Sequence, residues 1–226
     1  MKFFRLLLPT LFFFIATLSG AHAYTPNLYD DCERGNEIVA TVERPLPPFA
    51  ILEVSGDFTV NVTSGARAQK LSITADENLI PLISTISQGS KMTIYPERPL
   101  CSDIGIVLNI QVNSFYALIA AGSDSIKISN INTGKFSLMF TGNGDVTLQG
   151  IAQSFDADIP GSGELIAQEL KAKEVSITMS GNGVSNIFAS ETLKVTITGI
   201  SDINYFGQPK VITKEIIGIG SLNEME

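Results

Sequence analysis

The stretch Phe140–Leu148, FTGNGDVTL, sets two glycines and an asparagine between apolar ends. In isolation it is one tight turn between two strands. Along the chain it is one of six related copies: AAGSDSIKI (Ala120–Ile128), IPGSGELIA (Ile159–Ala167), MSGNGVSNI (Met179–Ile187), ITGISDINY (Ile197–Tyr205) and IIGIGSLNE (Ile216–Glu224) complete the set. Their first glycines are Gly122, Gly142, Gly161, Gly181, Gly199 and Gly218, separated by steps of 20, 19, 20, 18 and 19 residues. A repeat of that length with one short set of strands per copy predicts a solenoid of about six coils.

Side-chain columns carry the same period. Two residues before the glycines stand Ala120, Phe140, Ile159, Met179, Ile197 and Ile216. Four before them stand Leu118, Leu138, Ala157, Ile177, Val195 and Lys214. Four after them stand Ile126, Val146, Leu165, Ser185, Ile203 and Leu222. Two further on come Ile128, Leu148, Ala167, Ile187, Tyr205 and Glu224. Alternation within each strand sends these columns inward, where equivalent residues of successive coils stack. A third apolar patch is expected from Ile131, Ile151 and Leu170, followed by Phe136, Phe155, Val175, Leu193 and Val211. At the corners, glycine accepts the backbone angles of a tight bend. Antiparallel hairpins are the competing reading, but they do not require the corner to recur near 19 residues with matched columns. Lys214, Glu224 and Glu226 leave a charged last coil.

Four regions follow. Lys2 and Arg5, the apolar run Leu6–Leu18 and the small residues of Ala21–Ala23 form the pattern of a cleaved secretory signal over residues 1–23. The apolar run falls short of the roughly 20 residues a membrane span needs. Residues 24–48 form a lead-in ending in the proline-rich ERPLPPF. Residues 49–117 alternate as strands that extend and cap the solenoid, with room for one helical turn in DENLIPLIST, capped by Asp76 and limited by Pro81. Residues 118–226 carry the glycine-cornered repeats.

Composition narrows the function. Signal removal takes Lys2, Arg5 and the only histidine, His22, but no acid, so the formal charge moves from −8 to −10. Such an acidic chain is a poor binder of nucleic acid or an anionic membrane. Without histidine, Ser-His and Cys-His catalysis is unavailable. Cys32 and Cys101 do not make a zinc site, and in an exported chain an even cysteine count predicts one disulfide. The GSG and GNG corners do not open helices, so they are not phosphate loops.

Acids cluster beside the corners: Asp145, Glu164 and Asp202 stand three residues after their glycines, and Asp124 two after its own. Asp145 and Glu164 on neighbouring coils would lie about 5 Å apart, the arrangement of an acid/base pair or a cation site. Val184 interrupts the column, and acids favour exposed turns for local reasons. Tryptophan is absent, Tyr95, Tyr116 and Tyr205 are scattered, and Lys171 with Lys173 reads as a solvated turn, which disfavours a sugar-processing cleft.

The stretches LEVSGDFTVNVTSG and SKMTIYPE, with the SGNG, PGSG and TGNG corners and the closing YFGQP and GIGSL, resemble the GIN-type head domain of putative autotransporter adhesins. The resemblance covers about Phe49 to Leu222. It implies a right-handed parallel β-helix outside the cytoplasm, and no proven activity. The expectation is an exported, non-enzymatic, all-β solenoid without cofactor or metal, in the periplasm or at the cell surface. It would act as an adhesion or structural module with a protein or glycan partner, and self-association is left open. The alternatives are a carbohydrate-active enzyme using Asp145 and Glu164, or a periplasmic envelope-maintenance protein.

Overall fold

Alternating side chains in β11 (Ser125–Phe140), β12 (Asn143–Ile159), β13 (Ser162–Met179) and β14 (Asn182–Ile197) bury every second residue along most of their length. A strand with one apolar side must cover that side, and here the next copy of the repeat covers it. The computed structural model describes residues 32–226; the expected signal, its cleavage site and the lead-in up to residue 31 lie outside the described residues. Each of the four long strands carries the exit face of one coil, a bend, and the approach face of the next. β15 (Ile200–Phe206), β16 (Val211–Ile216) and β17 (Ile219–Glu224) complete the last turns. From β10 (Ala117–Ala120) onward every pairing is parallel, so the hairpin reading of the corners fails. The chain forms a β-solenoid of about five turns, a minor difference from the six coils expected.

The inward columns form the core. Phe140, Ile159, Met179 and Ile197 are almost completely buried, as are Leu118, Ile177 and Val195. Each such side chain contributes roughly 1.5–3 kcal/mol relative to an exposed position. Ser185, the one polar member of its column, is also buried and donates from Oγ to the Met179 sulfur at 3.2 Å. Phe115, Phe136 and Phe155 stack tilted, with ring centroids 5.7 and 6.2 Å apart.

Two expected core residues point outward. A register shift after Ile128 sets Ile131 opposite Gly150, so Ile151 falls opposite Asn132 and stands 57% exposed. Ala152 takes the inward place instead. On the last coil Leu193 is paired with Ile212, which leaves Val211 on the outer side.

The N-terminal part belongs to the same stack. β3 (Ile51–Val54) lies parallel to β10, and β4 (Thr59–Ser64) parallel to β11. Together they make a further coil whose corner is Gly56. The chain then leaves the stack for about 50 residues. β5 (Lys70–Asp76) and β6 (Ile83–Gln88) run antiparallel to β9 (Val107–Val112) and β7 (Lys91–Pro96) respectively. β7 and β9 run parallel to β3 and β4 and form a coil on their far side. β2 (Val39–Pro45) adds antiparallel to β5 and ends that face. The expected helical turn is a 3-10 turn, Ile80–Leu82, with Pro81 in it. Asp76 does not cap it through its side chain. Its buried carboxylate instead accepts from the Glu37 N–H at 2.6 Å and from the Ser102 hydroxyl.

The Cys32–Cys101 disulfide straps the first described residues to the long corner between β7 and β9. Beside it β1 (Glu33–Arg34) lies parallel to β8 (Leu100–Cys101). No helix among the described residues is long and apolar enough to cross a membrane.

Candidate binding faces of the solenoid

Corner geometry sets the shape of the whole surface. Corner-glycine carbonyls accept N–H groups from the next coil: Gly122 from Asn143 at 2.9 Å, Gly142 from Ser162 at 3.0 Å, Gly181 from Ile200 at 3.1 Å and Gly199 from Ile219 at 2.9 Å. That ladder brings the next glycine directly over the oxygen. A β-carbon on Gly142, Gly161, Gly181, Gly199 or Gly218 would fall inside 3.0 Å of the oxygen beneath it, and one on Gly122 would strike the backbone of Gly56. These glycines are required for lack of bulk; none of the six adopts a left-handed φ. The backbone freedom expected of the corner belongs to the second glycine, with φ of 137° at Gly144, 149° at Gly163 and 155° at Gly183.

On the outer side of the exit face, Asp145 and Glu164 are register neighbours on adjacent coils. Both point away from the core, and Val184 follows Glu164 in the column. Glu164 is engaged, accepting from the Asn186 amide at 3.0 Å. Asn204 in turn donates to Asn186 at 3.0 Å, and Asn223 to Asn204 at 3.1 Å. Asp202 accepts from the Ser221 hydroxyl at 2.6 Å. The far end of the face repeats the device, with Asn61 donating to Asn109 at 3.1 Å. The sequence marks this amide ladder only faintly. Its signal is asparagine five residues after Gly181, Gly199, Gly218 and Gly56.

The approach face has a different outer side. Ile51, Ala117, Ile119 and Met139 line a shallow, largely apolar groove of about 390 Å³, bordered by Asp156 and Asp158. Lys135 is ion-paired with Asp156. The Lys171 ammonium lies 4.3 Å from the centre of the Phe188 ring and donates to the Gln168 carbonyl, while Lys173 pairs with Glu191 at 3.5 Å. Tyr95 is half-buried, Tyr116 is exposed and Tyr205 is buried in the core, so the three tyrosines build no common platform.

Asp124 departs from the other corner acids. It occupies the position that is glycine in the next three coils, and it is buried. Its Oδ1 accepts the Phe58 N–H at 3.1 Å, while Oδ2 has no hydrogen-bond partner among the described residues. Burial raises its pKa from 3.8 to about 6; the Phe58 and Gly122 N–H groups oppose the shift and the nearby Asp57 charge adds to it.

Residues 48–209 match the family described as "Putative auto-transporter adhesin, head GIN domain". No curated protein matches the chain. Among solved structures, a "putative adhesin" of Bacteroides fragilis shares the fold at a TM-score of 0.71 and 18% identity, covering 85% of this chain and 100% of its own. A "putative lipid binding protein" of Parabacteroides distasonis aligns at a TM-score of 0.58 and 21% identity, over 87% of this chain and 100% of its own. A "putative adhesin" of the same species aligns at 0.55 and 19%, over 86% and 100%.

Proposed function

The chain belongs to the head GIN domain family of putative auto-transporter adhesins, and from that premise we propose that it is an exported, non-catalytic adhesion module that holds a protein or glycan partner on its exit face. The observation that carries this reading is the row Glu164–Asn186–Asn204–Asn223. Each amide is fixed by the next, so donors and acceptors stand at the coil repeat of about 4.8 Å on a surface that needs no ordering on binding. A partner with its own short repeat, such as an extended glycan or a β-strand edge, suits such a row.

Export is supported by the signal pattern at residues 1–23 and by the disulfide, since such bonds persist in oxidising compartments. The non-catalytic reading is supported by the engagement of Glu164 with Asn186 and by the outward, open setting of Asp145. The corner glycines, in this proposal, serve the face indirectly by keeping successive coils in register.

The test is a binding screen against glycan and envelope-protein panels, run beside a polysaccharide turnover assay. Binding that falls at least tenfold in Asn186→Ala/Asn204→Ala supports the proposal. Turnover that is lost in Asp145→Asn/Glu164→Gln overturns it in favour of a carbohydrate-active enzyme. Protease access on intact cells separates surface display from a periplasmic role in envelope maintenance.

A further inference from the structure

The two ends of the stack are built differently. At the N-terminal end the outermost strands, β2 and β6, run against their neighbours, and Leu79, Ile80 and Ile83 close the core beneath them. Arg44 reaches across, donating to the Ile83 carbonyl and the Thr85 hydroxyl at 2.7 Å and to the Ile80 carbonyl at 3.0 Å. Pro45, Pro47 and Pro48 follow and offer no N–H groups. At the other end, among the described residues, β16 pairs only with β14, and β17 only with β15. Every residue of β16 is exposed. Ile212 and Ile216 continue the inward columns of Leu193 and Ile197, yet stand 43% and 38% exposed. Ile217 and Ile219 beside them are 71% and 70% exposed.

We propose that this open end is a self-association surface, on which a second copy of the chain docks about a two-fold axis. Free strand edges with exposed core side chains are sites of pairing unless they are blocked. A two-fold axis that sets β16 of one copy antiparallel to β17 of the other gives each free edge the donors and acceptors that it lacks. Head-to-tail stacking into a filament would need the open end to meet the N-terminal end. The reversed strands, Arg44 and the prolines oppose that, so association stops at two.

Charge agrees with the two-fold arrangement. Lys214 and Glu224 occupy inward columns held by Val195 and Tyr205 one coil earlier. Opposite in sign and on opposite faces, they let each copy bring a cation and an anion to the other's edge, where two like charges would repel. The last turn, residues 211–226, offers fewer than the roughly 20–30 residues per side of a standard interface, so a micromolar dimer is expected.

Sedimentation equilibrium on the full chain, from about 1 to about 200 µM, spans that range and reads the proposal directly. The expected result is a monomer–dimer equilibrium that weakens about tenfold or more in Ile212→Lys/Ile216→Lys. The unfolding midpoint of the variant, measured in parallel, separates lost pairing from lost folding. In the unsubstituted protein, amide exchange in β16 and β17 should slow as concentration rises. A monomer throughout, exchange that ignores concentration, a dimer indifferent to the two lysines, or growth beyond two copies would each overturn the proposal. None of these readouts depends on the adhesion reading.

Discussion

The carbonyl oxygen of Gly161 stands where a side chain on Gly181 would begin. The same relation holds between Gly142 and Gly161 below, and between Gly181 and Gly199 above. One edge of the solenoid is therefore a column of backbone without side chains. Gly181→Ala should destabilise the protein by about 3 kcal/mol or more, because the obstacle is hydrogen-bonded backbone that cannot step aside. Gly134 has nothing among the described residues within 4 Å of its β-carbon position and no left-handed φ, so Gly134→Ala should be neutral or stabilise by about 0.5 kcal/mol. Urea unfolding of the two variants checks the contrast.

Asp124 should make stability fall as pH rises from about 4 to about 6. Its pKa is raised from 3.8 to about 6 on folding, so within that window the folded chain holds a proton that the unfolded chain has released. Folding is therefore favoured at the acid side of the window, by about 3 kcal/mol from this group at the limit. Asp124→Asn keeps an acceptor for the Phe58 N–H and removes the charge. The variant should gain about 1–2 kcal/mol at pH 7, allowing for an unpartnered amide, and nothing at pH 4. Chemical denaturation at both pH values decides it; an equal effect at both would rule out the charge as the cause.

Opening the disulfide should loosen one end only. The bridge spans 69 residues, and loop entropy assigns it about 4 kcal/mol. Cys32→Ser/Cys101→Ser should lose a large part of that amount. Limited proteolysis should then cut within Glu33–Ile38 while the coils from Asn143 to Ile197 stay intact. Cleavage spread along the repeats would contradict this.

Asn204 both donates to Asn186 and accepts from Asn223. Removing it leaves the half-buried Asn186 and the exposed Asn223, both within reach of water, so Asn204→Ala should cost only about 1 kcal/mol. Partner binding should suffer more than folding if the row is the recognition element. Calorimetric unfolding beside a binding titration would show the difference.

The repeats were legible because spacing and side-chain column repeat together: six glycines at steps of 18 to 20 residues imply parallel stacking before any contact is known. Gly56 stands apart from the series of corners, although LEVSGDFTV has the same form, because the excursion from Gly65 to Tyr116 separates it from Gly122. Antiparallel strands at the cap leave no such mark, since alternation in KLSITAD or KMTIYPE is the same for either direction. Ile151 and Val211 depart from the column pattern for a local reason: bends between faces shift the register by a residue, which reverses the side to which a strand residue points. The amide ladder is a relation between distant coils and appears only once they are aligned.

The excursion between β4 and β10 also bears on the order of assembly. Phe58 and Asp124 meet across 66 residues, whereas Asn204 and Asn223 meet across 19. Bringing the more distant pair together costs about 1 kcal/mol more in closure entropy. The downstream turns can zip onto one another as they emerge, while the first-made turn waits for two flanks that arrive much later. Closure of that turn thus lags its synthesis, and pulsed amide exchange during refolding should find Ile51–Ser64 protected after the turns between Asn143 and Ile197.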